Sequence, residues 1–558
     1  MSGGDNLRTG GELLVDSLLA NNVDRAFCVP GESYLAALDA LHHAPAIDLV
    51  TCRQESGAAM MADAYGKLTG KPGICFVTRG PGATNASAGV HIAFQDSTPM
   101  ILFVGQVGRE MRDREAFQEV DFRRMFGQMA KWVAEIDDAA RVPEYVSRAF
   151  HTAVAGRPGP VVLALPEDML RDRAPSVGIA AARISEAHPG ADAMDELRGR
   201  LEKAERPLVI VGGGGWDATA VANVEKFAEA NHLPVAAAFR FQSLFDNTHA
   251  NYVGDVGIGI NPELAIRVKE ADLLLAIGPR LGEMTTGGYG LLDIPVPRQD
   301  LVHVYPAAEE LGRVYQPIQA INAGMKAFAK ALVDMEPVQG GWAERTREGH
   351  TQYLAWSEPT EVPGPVNVGR VIEYLRDAMG PNDVICNGAG NFSAFVHRFF
   401  RYRGFGTQLA PTSGSMGYGL PAAISAKRMW PDSTVVAMCG DGDVMMTCQE
   451  MATAAHYGIA AIAVIVNNGT YGTIRMHQER DYPGNVIATD LTNPDFMLFA
   501  QSFGAHGERV EKTEDFAAAF DRAKQSGKPA IIELIVDAEA ITPTATLSGL
   551  RETALANQ

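Results

Sequence analysis

The chain has 558 residues, 46% of them apolar and 21% charged, a balance that suits a multi-domain globular protein with several buried cores. A formal charge of −19 argues against nucleic acid and anionic membranes as partners, while a phosphate-bearing cofactor can still bind at helix termini and through a metal ion. The six cysteines stand singly, without a Cys-x-x-Cys, so neither zinc nor a disulfide framework is expected. The stretch "MSGGDNLRTGGELLVDSLL" lacks the apolar segment of a signal peptide and no long uncharged apolar run suggests a membrane span, so the expectation is a cytoplasmic protein.

Taken in chain order, short β-rich apolar runs alternate with helical patterns. The runs are "AIDLVTC", "GICFVT", "MILFVGQV", "PVVLALP", "PLVIVGGGG", "DLLLAIG", "LVHVY", "DVICNG", "TVVAMCG", "AIAVIVNN" and "AIIELIV". Runs this apolar predict strands buried on both faces, in parallel sheets covered by helices. Two stretches rich in Pro, Gly and charge read as linkers, near 183–201 and 336–367. They divide the chain into three doubly wound α/β domains, 1–180, 190–340 and 360–545.

The third domain carries the strongest chemical signal. "TVVAMCG" predicts a strand ending at Gly440, "DVMMTCQEMATAAHY" a helix, and "IAAIAVIVNN" the next strand. In a right-handed β-α-β unit both strands end on the same sheet edge, so Asp441 and Asn468 emerge side by side. A helix starting near Asp443 adds free N–H groups suited to phosphate. A carboxylate oxygen, an amide oxygen and a nearby backbone carbonyl are hard ligands; two phosphate oxygens and a water complete an octahedron for Mg²⁺. Two unrelated polar turns would give the same residues without a shared site.

This Gly-Asp-Gly to Asn-Asn pattern resembles the thiamine-diphosphate signature. The likeness runs from "AFCVPGESYLAALDAL" to the C-terminal strand and points to the acetolactate synthase, pyruvate decarboxylase and benzoylformate decarboxylase superfamily. It implies a pyrimidine-binding, a central and a diphosphate-binding domain. It also implies Mg²⁺ on Asp441, Asn468 and the Thr470 carbonyl, with Gly442, Asp443 and Gly469 along the diphosphate and Tyr471 and Gly472 beside it. Asp443 replaces a smaller residue of the family, and a second carboxylate beside a diphosphate is repulsive, so it is expected to turn away as a helix N-cap. Gly390 and Asn391 in "NGAGNFSAF" would touch the diphosphate, although synthases carry Gln-His where this chain has Asn391-Phe392. Gly414 would offer its carbonyl to the cofactor's amino group, and Met416 would wedge between its rings; a core methionine is the plainer reading of Met416.

The chemistry also needs an acid aimed at the far nitrogen of the aminopyrimidine. "TCRQESGAAMMADAYGKLTGKPGICFVTRGPGATN" resembles the segment that carries it, at Glu55. A first-turn glutamate stabilising a helix start is the alternative. The resemblance implies that Glu55 acts on cofactor held by a second subunit, so a homodimer or homotetramer with sites at the subunit interface is expected.

"REAFQEVD" resembles the synthase Phe-Gln-Glu segment and supplies Phe117 and Gln118. Two positions depart from synthases: His477 matches a tryptophan that discriminates between 2-oxo acids, and Met284 matches an arginine that grips the substrate carboxylate. Glu32 stands where pyruvate decarboxylases have a catalytic aspartate and synthases a glycine. "VGGGGWD" and "GPRLGE" resemble a nucleotide or flavin half-site, which leaves FAD open as a second cofactor. The expected function is decarboxylation and carboligation of 2-oxo acids, acetolactate synthase-like, on a small-molecule 2-oxo acid or 2-hydroxy ketone. The alternatives are a benzoylformate-type decarboxylase or C–C lyase acting on a 2-hydroxy ketone or 2-hydroxyacyl-CoA, and a non-catalytic nucleotide-binding protein.

Overall fold

All eleven apolar runs form strands, and the Gly-rich turns that follow them become loops at the C-terminal edges of parallel sheets. The computed structural model describes residues 7–557, so the first six residues of the stretch without a signal peptide lie outside the described residues. Residues 1–185 make one unit and residues 186–558 a second.

The first unit holds a six-stranded parallel sheet: β1 (Arg25–Cys28), β2 (Asp48–Thr51), β3 (Gly73–Val77), β4 (Met100–Gln106), β5 (Trp132–Glu135) and β6 (Pro160–Pro166), in the order β2-β1-β3-β4-β6-β5. Every residue of β3, β4 and β6 is buried, as their unbroken apolar sequences require. Helix α1 (Glu55–Thr69) opens at Gln54, whose side-chain oxygen accepts from the Ser56 and Gly57 N–H groups. Helix α2 (Pro81–Asp96) follows Gly80, held at φ 60°, with Pro81 in its first turn. The two helices pack closely because Gly89 lies against Ala59, where any added Cβ would collide.

The second unit holds two six-stranded parallel sheets. The central one is β7 (Pro207–Val211), β8 (Val235–Ala237), β9 (Tyr252–Asp255), β10 (Leu273–Ile277), β11 (Asp300–Tyr305) and β12 (Gln319–Asn322), ordered β9-β8-β7-β10-β11-β12. The C-terminal one is β13 (Val384–Asn387), β14 (Gln408–Leu409), β15 (Val435–Gly440), β16 (Ile462–Asn467), β17 (His506–Val510) and β18 (Ala530–Ile535), ordered β14-β13-β15-β16-β18-β17. Its winding repeats that of the first unit's sheet strand for strand. The central sheet instead has the order of a dinucleotide-binding fold.

Both expected linkers contain helices. Helix α3 (Ala191–Leu201) lies in the first, burying Leu197 and Leu201 while its other faces carry charge. Helix α4 (Ala343–Trp356) lies in the second, burying Thr346, Gly349 and Tyr353 at helical spacing. Charge-rich composition hid both apolar stripes. The helix expected after Gly440 is also interrupted. It consists of a short turn, α5 (Asp441–Val444), a break, and then α6 (Met451–Tyr457). At the break Thr447 Oγ1 donates to the Gly417 carbonyl at 2.7 Å, an alternative to continuing the helix. After β16 comes α7 (Gly472–Asp481).

Candidate functional site

In the second unit the loops after β13, β15 and β16 enclose a cavity of about 250 Å³. The register Gly440↔Val466 brings the ends of β15 and β16 together, as the β-α-β reading requires. Gly390, Asn391, Gly414, Met416, Gly442, Asp443, Tyr471 and Gly472 line the cavity together with Asp441, Asn468 and Thr470. Gly469, held at φ 65°, lies behind the wall and donates its N–H to Asp441 Oδ2 at 2.9 Å. His477 sits further along α7, half-buried and outside the cavity lining.

Asp441 is buried and accepts three hydrogen bonds: from Gly442 N at 2.9 Å, from Gly469 N, and from Asn493 Nδ2 at 2.8 Å. Burial pushes its carboxyl above the usual range, against the pull of these donors. Asn468 Oδ1 accepts from the Thr470 N–H at 3.2 Å, and the Thr470 carbonyl accepts from Gly472 N at 2.9 Å. An sp² oxygen has two lone pairs, so Asp441 Oδ1 and the Thr470 carbonyl, with one hydrogen bond each, keep capacity for a cation, while at Asn468 Oδ1 a cation would displace the long contact from the Thr470 hydroxyl at 3.4 Å. Among the described residues no group of three or more His, Cys, Asp and Glu is arranged to hold a metal ion. A divalent ion here would therefore take its remaining ligands from oxygens outside the protein, as a diphosphate supplies. The donor set fits Mg²⁺ on that condition.

Asp443 differs from its expectation. It lies within α5, whose N-cap is Gly440. Its carboxylate is buried against Gly388, where a Cβ would collide with both oxygens. Oδ1 accepts from Ala389 N at 3.0 Å and Gly417 N at 2.9 Å, tying two cavity loops together. Burial pushes this carboxyl up to about 7. Burial favours the neutral form and so weakens the repulsion that motivated the N-cap reading.

In the first unit, Glu55 opens α1 and its Oε2 accepts from Asn85 Nδ2 at 2.9 Å. Gly82 leaves room for this carboxylate over the first turn of α2, since a Cβ there would lie 3.3 Å from Glu55 Oε1. Glu32 begins a single 3₁₀ turn after β1, and Gly31 packs on Thr78 so closely that the loops after β1 and β3 touch. Arg79 joins three neighbours. Nη2 reaches Glu32 Oε1, Nη1 reaches Glu167 Oε2 and Nε reaches the Phe117 carbonyl, each at 3.2 Å. The Phe117 side chain is 72% exposed, and Gln118, at φ 64°, packs on Gly80. Arg79, a cation that had no assigned role, thus ties together Glu32, Glu167 and the Phe117 backbone, while Gln118 lies against the neighbouring Gly80.

Sequence reasoning missed Arg79, Asn85 and Asn493. The first two stand inside the quoted "TRGPGATN", where glycine spacing drew the attention; Asn493, in "TNPDF", carries only a turn signal. In the central sheet, "VGGGGWD" and "GPRLGE" do meet, with Gly213 against the Gly278 carbonyl. The buried Trp216 indole donates to the Gly212 carbonyl at 2.9 Å.

The family models described as thiamine pyrophosphate enzyme N-terminal TPP binding domain, central domain and C-terminal TPP binding domain match residues 8–125, 194–332 and 388–534. The chain is 32% identical over 545 residues to the acetolactate synthase large subunit of Parasynechococcus marenigrum, covering 95% of this chain and 87% of that one. It is 30% identical over 552 residues to the large subunit of Corynebacterium glutamicum, again covering 95% and 87%. Identity to the acetolactate synthase isozyme 2 large subunit of Escherichia coli is 29% over 535 residues, 95% of each chain. The chain belongs to the thiamine pyrophosphate enzyme family. It is an acetolactate synthase-like enzyme with thiamine diphosphate as cofactor. No helix among the described residues is long and apolar enough to cross a membrane.

Proposed function

We propose that the enzyme uses thiamine diphosphate with Mg²⁺ to decarboxylate a small 2-oxo acid and join its acyl unit to a second carbonyl compound. The observation that carries this reading is the buried Asp441 carboxylate, ordered by three donors beside Asn468 and Thr470 at the edge of the cavity. When bound, thiamine diphosphate supplies the nucleophilic carbon and the electron sink for the pair released with CO₂.

In this reading Asp441, Asn468 and the Thr470 carbonyl hold the metal. Gly390, Asn391, Gly442 and Gly469 approach the diphosphate, with Tyr471 and Gly472 closing that side. Gly414 offers its carbonyl and Met416 its apolar bulk to the rings. Glu55 holds a proton at the aminopyrimidine and is oriented by Asn85. Glu32, Phe117, Gln118 and His477 bear on substrate choice. The three domains are 1–180, 190–340 and 360–545, and two or four copies assemble, with Glu55 serving the cofactor of a partner subunit. Visible absorbance of the purified protein decides whether FAD occupies the central sheet edge beside Gly213.

Calorimetric titration of thiamine diphosphate, with and without Mg²⁺ and with Asp441→Ala, tests the metal site. Tight binding only for the parent with Mg²⁺ is expected, and equal binding in all three cases refutes it. A product panel with pyruvate, glyoxylate, benzoylformate and an acyl-CoA donor tests the reaction. Cleavage of the acyl-CoA donor alone would replace the carboligase reading with a lyase.

A further inference from the structure

We propose that Arg79 is the receptor for the carboxylate of an anionic substrate, and that Glu32 occupies this receptor until the substrate displaces it. The inference rests on the reading of the enzyme as acting on 2-oxo acids and names the group that recognises them.

Topology gives the place. In the order β2-β1-β3-β4-β6-β5 the chain reverses direction across the sheet between β1 and β3, and ligands of such sheets bind in the crevice beyond the carboxyl ends of those two strands. Glu32 belongs to the loop after β1 and Arg79 to the loop after β3. The pair spans that crevice. Glu55 lies against Gly82, three residues beyond Arg79, so the receptor and the proposed proton-holding group belong to the same edge.

Burial and geometry give the role. The Arg79 side chain is 8% exposed, so its charge requires a partner at all times. It uses three N–H groups out of the five a guanidinium carries. Each carboxylate touches it through a single oxygen at 3.2 Å, longer than the ~2.7–2.9 Å of a strong charge-assisted bond. Neither Glu32 nor Glu167 makes the bidentate fork that an arginine prefers, which leaves that mode for an incoming carboxylate. The two acids differ in how readily they leave. Glu167 directly follows β6, anchored by its N–H to the Gln106 carbonyl. Glu32 is 65% exposed and passes into water with little loss. The exchange swaps one carboxylate for another, so the cation stays paired throughout. Position is fixed from both sides by Gly80 at φ 60° and Gln118 at φ 64°, which pack on each other.

A carboxylate receptor and a purely structural tie between three loops predict different responses to substrate charge. Two probes share an acetyl carbonyl: pyruvate, which is anionic, and 2,3-butanedione, in which a neutral acetyl group replaces the carboxylate. With enzyme loaded with thiamine diphosphate and Mg²⁺, Arg79→Gln is expected to raise KM for pyruvate about 30-fold with little change in kcat, the loss of a bond to a charged group. KM for butanedione should stay within about twofold. Glu32→Gln, at an exposed position that tolerates the change, is expected to lower KM for pyruvate about fivefold and leave butanedione unaffected. Equal losses for both probes in Arg79→Gln would reduce Arg79 to a scaffold role. An unaltered or raised pyruvate KM in Glu32→Gln would remove Glu32 as the competing occupant.

If the parent does not turn over pyruvate, the proposed reaction fails on that donor, and equilibrium titration of pyruvate by calorimetry decides the inference separately. Binding that weakens in Arg79→Gln and tightens in Glu32→Gln supports it. Absent binding, or binding indifferent to both changes, overturns it.

Discussion

Asn493 should prove as important to metal affinity as a direct ligand, although it touches no expected metal position itself. Its Nδ2 donates to Asp441 Oδ2 at 2.8 Å and to Asn467 Oδ1 at 2.9 Å. Asn467 in turn donates to the buried Glu533, which Arg509 holds at 2.9 Å. Asn493→Ala removes one of three donors from a buried carboxylate and cuts this chain at its cavity end. A hydrogen bond to a charged group contributes about 1.5–3 kcal/mol. Asn493 is only half-buried, so water refills part of the gap and the stability loss without metal should sit near the lower figure. The effect on metal is larger in kind. Loss of an outer partner typically weakens metal binding about 10–100-fold, or about 1.4–2.8 kcal/mol, because the ligand is no longer held in one orientation. The assay is a Mg²⁺ titration at saturating thiamine diphosphate, followed by calorimetry or by quenching of tryptophan fluorescence, in parent and variant. A denaturant curve on each confirms that the fold persists. Unchanged Mg²⁺ affinity in a folded variant would mean that Asp441 needs no orientation from Asn493, or that it does not hold the metal.

Two further outcomes follow from the first unit. Glu55→Gln keeps an oxygen for Asn85 Nδ2 but cannot give up a proton, so cofactor binding should change little while turnover falls about 10²–10⁴-fold; exchange of the cofactor's C2 proton for deuterium, followed by NMR, should slow in parallel. Lys67 Nζ lies 3.0 Å from Asp63 Oδ2 and 2.5 Å from Asp96 Oδ2, both carboxylates buried. Desolvation alone would lower the Lys67 pKa, but the two acids outweigh it and the pKa is raised. The resulting stability is therefore full below the ordinary lysine pKa of about 10.4 and is lost as pH rises through the folded value. Lys67→Met should cost about 3–5 kcal/mol in urea unfolding at neutral pH and abolish that alkaline loss; an unchanged alkaline profile would show that the triad titrates elsewhere.

The parts of this molecule that were legible in sequence are those where one short segment carries the whole signal. Unbroken apolar runs such as "MILFVGQV" become buried parallel strands, and Asp441 and Asn468 meet because a right-handed crossover leaves them no other edge. Helices α3 and α4 were not legible, because each buries a narrow stripe beneath many charges. The break between α5 and α6 depends on Gly417, in a loop more than twenty residues earlier. Asn493 and Arg79 were hidden for a related reason: their meaning lies in partners from other loops. For Arg79 the missing knowledge was strand order. The first and third sheets share one winding, in which the loop after the third strand of each faces the loop after its first. In the C-terminal sheet those loops carry Asp441 and the Gly388–Asn391 turn; in the N-terminal sheet the same two places carry Arg79 and Glu32. One edge presents the Asp441 carboxylate, held by three N–H donors, the other the Arg79 guanidinium, held by two carboxylates and a carbonyl. Under the proposed function the two edges take opposite partners, a metal-bound diphosphate at Asp441 and a substrate carboxylate at Arg79, and the Asp441→Ala and Arg79→Gln titrations test the two assignments separately.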